Sequence, residues 1–137
     1  MSTEYYSLLP AAYEIKQLMK MISDINDRKE LAILAMDRLS TRSEIKQNVD
    51  KIIARQPTEV QDAYVNILRN KIINDNIQYE NEMHTLKEKG ASNEVLEVKK
   101  QMHMFESDWS LSKQDAEQME KRLVAALSKS QRDLLDF

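Results

Sequence analysis

The sequence predicts an all-α protein: a long antiparallel, coiled-coil-like helical hairpin with shorter N-terminal helices packed against it as a bundle. Three observations carry this. Val95, Val98, Met102, Phe105, Trp109, Ser112, Ala116, Met119, Leu123 and Ala126 alternate spacings of three and four, the pattern of a coiled-coil seam. The chain of 137 residues holds one Gly (Gly90) and two Pro (Pro10, Pro57), too few for the turns of a sheet protein of this size. Its bulk is Met, Leu, Ala, Glu, Gln and Lys, side chains that lose little rotamer freedom in a helix. The length suits one helical domain over 1–137.

The first helix is expected to start near Pro10, whose fixed φ suits a first turn. Ala12, Ile15, Leu18, Met19, Ile22 and Ile25 give it one apolar face. Asn26 or Asp27 then offers a cap, with Glu30 beyond, for a second helix through Leu31, Leu34, Ala35 and Leu39; one bent helix fits equally. Thr41 and Glu44 form a capping box opening a third helix to Arg55, with Ile45, Val49, Ile52 and Ile53 inward. These short helices occupy 10–56.

Pro57 interrupts the run, and Thr58 with Gln61 offers the next cap. Nothing stops a helix from Thr58 to Lys89, a rod of roughly 48 Å at 1.5 Å per residue. Its face holds Tyr64, Leu68, Ile72, Tyr79, Met83 and Leu86. Gly90, after Lys87 and Lys89, reads as a left-handed C′ residue, and Ser92 or Asn93 caps the next helix. That helix is expected to run unbroken to about Ser128, so that 57–128 forms a hairpin turning at Gly90 and 129–137 is a tail. The N-terminal helices are too short to cover such a hairpin, so its far end near Gly90 should be exposed or meet a second molecule.

Composition narrows the function classes. With 20 Lys plus Arg against 23 Asp plus Glu, net −3, the chain has no field for a polyanion. Splitting at Pro57 leaves the first part at +1 (9 basic, 8 acidic) and the second at −4 (11 basic, 15 acidic). The absence of cysteine removes thiol nucleophiles, disulfides and Cys-based zinc sites. No run approaches the ~20 apolar residues of a membrane span, and Met1 to Leu9 lacks a secretory leader pattern, so the default expectation is a cytoplasmic protein.

No catalytic motif emerges, and a packed hairpin with one Gly leaves little room for a pocket, so no enzyme, metal or cofactor is expected. His84 and His103 fall well over a helical turn apart across the hairpin, too far to share a metal, and both are expected to face solvent. Arg42, Lys46, Lys51 and Arg55 on the third helix, with Arg38 before it, could be a DNA-recognition helix; interleaved Glu44 and Asp50 favour an ordinary solvated face.

Met102, Phe105 and Trp109, with Met104 beside them, are the densest apolar cluster, readable as core or as a partner groove. With Tyr64, Leu68 and Ile72 they are the candidate seam. Tyr5, Tyr6, Leu8 and Leu9, and Leu134, Leu135 and Phe137, make both ends adhesive. The leading expectation is a non-enzymatic adaptor or chaperone-like factor that binds another protein by helix–helix packing along the seam. The alternatives are a coiled-coil subunit pairing its C-terminal helix in a homodimer, and a helical DNA-binding regulator.

Overall fold

A computed structural model describes residues 12–135, which form seven helices and no strand. They are α1 (Ala12–Met19), α2 (Ile25–Met36), α3 (Arg42–Ala54), α4 (Thr58–Glu88), α5 (Asn93–Glu106), α6 (Lys113–Ala125) and α7 (Lys129–Leu135). Pro10, the N-terminal aromatic and leucine cluster and Phe137 lie outside the described residues. Among those described, no helix is long and apolar enough to cross a membrane.

The first two helices are separate. Asp24 accepts from the Asp27 amide and caps α2, earlier than Asn26 or Asp27 would. Ile25 is exposed at the start of α2 and Leu39 beyond its end, while Ile22 enters the core from the connector. The third helix opens on the capping box read from Thr41 and Glu44 and buries Ile45, Val49, Ile52 and Ile53. Gln61, by contrast, does not cap α4; its Nε2 donates to the Ala54 and Gln56 carbonyls, closing the end of α3 instead.

Helix α4 is the spine shared by two hydrophobic cores. On its first half, α1, α2 and α3 bury Ile15, Leu18, Leu31, Val49, Ile52, Tyr64 and Leu68. At its far end Leu86 meets Val95, Val98 and Leu127, with Leu123, Val124, Leu134 and Leu135 packed around them. Beside this second core, Gly90 sits at φ +78° and closes a Schellman motif: its amide donates to Lys87 and the Ala91 amide donates to Leu86.

The main departure from expectation is in the final helix, which is two helices. It breaks at Ser107–Ser112, and α6 folds back along α5. Gln131 on α7 reaches Ser92 and Glu94, back at the Gly90 end. The heptad stripe therefore finds its partner helix in its own second half. The Gly90 end of α4 is covered, and the tail docks there through Leu134 and Leu135.

Local chemistry explains the break. Ser107 Oγ donates back to the His103 carbonyl, Asp108 Oδ1 accepts from the Ser110 amide and hydroxyl, and Ser112 caps α6 through the Asp115 amide. Three helix ends then satisfy one another. The Arg42 and Ser43 amides of α3 donate to the Leu111 and Trp109 carbonyls, and the Gln114 amide of α6 donates to Arg38. Thr41 and Ser112 pair as an isolated antiparallel bridge.

Candidate functional site

Where the two cores meet, α4 borders a cleft of about 390 Å³. This is within the size range of small-molecule sites and larger than the glycine-poor sequence suggests. Its walls are charged, and several of these charges are paired within the protein. Lys71 pairs with Asp75, and Lys99 on α5 pairs with Glu82 on α4. Arg42 is half-buried and donates from Nη1 to the Phe105 carbonyl (2.7 Å) and the Asp108 carbonyl (3.1 Å), capping the C-terminus of α5.

The histidines divide. His84 is exposed and pairs only with Glu88 at 3.0 Å, as expected. His103 does not face solvent: it stacks on Tyr79, ring centroids 4.0 Å apart and 12° from parallel. Burial holds its pKa below the usual value, against the pull of Glu106, Asp75 and Glu82. Among the described residues, no three His, Asp or Glu side chains are grouped to hold a metal.

One carboxyl in this region is strained electrostatically. Glu120 Oε1 is buried without a hydrogen-bond partner. Burial first, then the adjacent Glu106 carboxylate, push the Glu120 pKa from 4.5 up to about 7, against a smaller opposing pull from Arg42. The folded chain thus binds a proton more tightly than the unfolded chain. Between these two values stability falls as pH rises, and above about 7 the loss is complete. Discounted for partial exposure, the loss is about 1 kcal/mol. Glu120→Gln should raise the melting temperature at pH 8 and leave it nearly unchanged near pH 4.5. Parallel melting curves for the two proteins across that range would refute this.

The six seam residues are not brought together. Tyr64 and Leu68 lie in the N-terminal core, where the Tyr64 hydroxyl donates to Asp50 at 2.8 Å, and Ile72 is buried one turn further along α4. Met102 is half-buried against the other core. Phe105 and Trp109 are half-buried at the α5–α6 break, where their carbonyls accept from α3. Met104 points outward.

The basic row of α3 is largely engaged within the protein. Arg42 caps α5, Lys46 pairs with Asp50, and Arg55 holds Asp27 at 2.7 Å and Glu30 at 3.4 Å. Arg38 pairs across to Glu117 on α6. Lys51, Arg55 and Arg38 are exposed. No family model, curated protein or solved structure matches the chain.

The uncovered apolar surface is elsewhere, on α2. Leu31, Leu34 and Ala35 face the core, yet Ile25, Ile33 and Met36 project outward, with Ile33 69% and Met36 79% exposed. Beside them, between α2 and α3, lies a groove of about 250 Å³ formed by Ile33, Leu34 and Ile52 and rimmed by Glu30, Lys51 and Arg55. Val65, Ile73 and Ile77 also project from α4. Sequence reasoning missed the α2 face because Ile25 was assigned to the inner stripe of the first helix. Its spacing to Ile33 and Met36 carries the signal once the helix starts at Ile25.

Proposed function

We propose that the protein is a non-enzymatic interaction factor, an adaptor or chaperone-like subunit, that docks a partner protein across the outer face of α2 and the groove beside α3. One observation carries this reading: α2 is apolar on both sides. Exposed apolar side chains grouped beside a groove are the kind of surface that partners cover, and the core covers only the other face of this helix. The partner segment it suits is helical, laying apolar anchors into the groove in the manner of helix-in-groove recognition.

The internal pairing of the cleft supports the non-enzymatic half of the proposal. Lys71, Lys99 and Arg42 already have carboxylate or carbonyl partners, so these three charges are turned into the fold rather than towards a substrate. The test is a photo-crosslinking residue placed at Ile33 and, as a control, at exposed Lys100 on α5, in cells producing the full chain. Discrete adducts should form from position 33 and not from position 100. Equal yields from the two positions would sink the reading.

A further inference from the structure

We propose that the contact between the start of α3 and the α5–α6 break is a clasp across the cleft, closed by a proton shared between Glu106 and Glu120 and released when that proton leaves. The two hydrophobic cores are separate clusters that have α4 in common. Across the cleft, polar bonds join them. The Arg42 amide donates to the Leu111 carbonyl at 3.2 Å, the Ser43 amide to Trp109 at 3.0 Å and the Gln114 amide to Arg38 at 3.1 Å. Arg38 also pairs with Glu117, and the Arg42 guanidinium reaches the Phe105 and Asp108 carbonyls. Water replaces such bonds at little net cost, so this contact can part while both cores stay intact.

The position of the proton follows from the geometry. Glu120 Oε1 is buried and no group donates to it. Its carboxyl meets that of Glu106, the last residue of α5, where the helix dipole already disfavours negative charge. Two carboxyls in hydrogen-bond contact hold one proton between them, because neither can donate when both are ionised. Glu120 is also faced by Arg42 from α3 and by Glu117 from its own helix, while Asp108 of the connector lies beside Arg42. Burial and Glu106 together outweigh Arg42, so the Glu120 pKa is pushed up to about 7 in the closed clasp, against the ordinary 4.5 once water reaches it. The advantage of the closed form is complete below 4.5, declines between the two values and is gone above about 7.

Release acts directly on the cleft, because Arg42, Glu106, Ser107 and Lys113 belong to its wall. The other ion pairs of the cleft do not bridge this contact: Lys71 and Asp75 are both on α4, and Lys99 joins α5 to Glu82 of α4. They therefore hold while the connector 107–112 and the first turn of α6 move away from α3, and the cleft widens between them. The clasp is independent of the α2 docking surface, and either can fail without the other.

Amide hydrogen exchange of the full chain, resolved by residue with NMR from about pH 5.5 to about pH 8 and corrected for the intrinsic rate, tests this. The Arg42, Ser43 and Gln114 amides should lose protection by about tenfold over that range, while the Val49 and Leu68 amides in the middle of their helices keep theirs. Glu120→Gln carries a permanent donor to Glu106 and should keep the three amides protected at both ends of the range. Glu59→Gln removes the same charge from an exposed position on α4 and should leave the native response unchanged. Protection of the three amides that stays level with pH overturns the clasp. So does a loss that Glu120→Gln shares, which assigns the change to another group, and a loss in step with Val49 and Leu68, which makes it a loosening of the whole fold.

Discussion

Leu86→Ala should lower the free energy of unfolding by about 3 to 4 kcal/mol, a fall in melting temperature of roughly 10 °C or more. Leu86 lies in the last turn of α4, beside the Gly90 turn, where an open hairpin tip would leave it in water. It is instead fully buried, together with Val95, against Leu127 and the leucines of α7. Its carbonyl also accepts the Ala91 amide that closes the turn, so the truncated side chain sits where the backbone is fixed and the site collapses poorly. Urea denaturation with an unchanged slope is the measurement. A loss below about 1 kcal/mol would mean that the tip is open.

Arg42→Ala should cost about 2 to 3 kcal/mol, more than truncation of any other arginine or lysine on α3. The guanidinium donates to two carbonyls at the end of α5, beside the Asp108 and Leu111 amides from which they also accept, and it is half-buried among Glu106, Asp108, Glu117 and Glu120. Its removal takes one donor from each carbonyl and leaves that acidic group without its central cation. Arg42→Lys should recover only part of the loss, because one ammonium does not reproduce the planar fork. Arg55→Ala is the comparison: Arg55 is exposed beside Asp27 and Glu30, and its loss should move the melting curve far less. Similar melting shifts for the two truncations would contradict the role assigned to Arg42.

Much of this architecture was legible because it depends on local rules. The Thr41/Glu44 capping box, the Gly90 stop, the Ser92 cap and the long uninterrupted helix from Thr58 each follow from a few adjacent residues. The α5–α6 break followed from local residues too: Ser107, Asp108, Ser110 and Ser112 crowd turn and cap formers into six positions, with Asp115 three residues past the cap. The heptad pattern overrode them, because a seam keeps its spacing whether the helix continues or folds back on itself.

Long-range pairings were not legible. Nothing near Arg42 indicates that its partners are the carbonyls of Phe105 and Asp108, and nothing near Tyr79 indicates that His103 will stack on it beyond the approximate hairpin register. The α2 face was hidden for a different reason. A helix apolar on both sides has no strong amphipathic period, so its outward residues looked like more core.

The central claim is that the C-terminal apolar stripe closes on itself, leaving α2 as the exposed apolar face beside a groove. Because the chain has no native cysteine, Glu94→Cys and Ser128→Cys can carry a pair of spin labels for a distance measurement by pulsed electron resonance. Gln131 Nε2 lies 3.5 Å from Glu94 Oε2, so folding back puts the labels within about 20 Å, less than two helix diameters. A single distribution near roughly 50 Å, the span of one continuous helix over those residues, would contradict it.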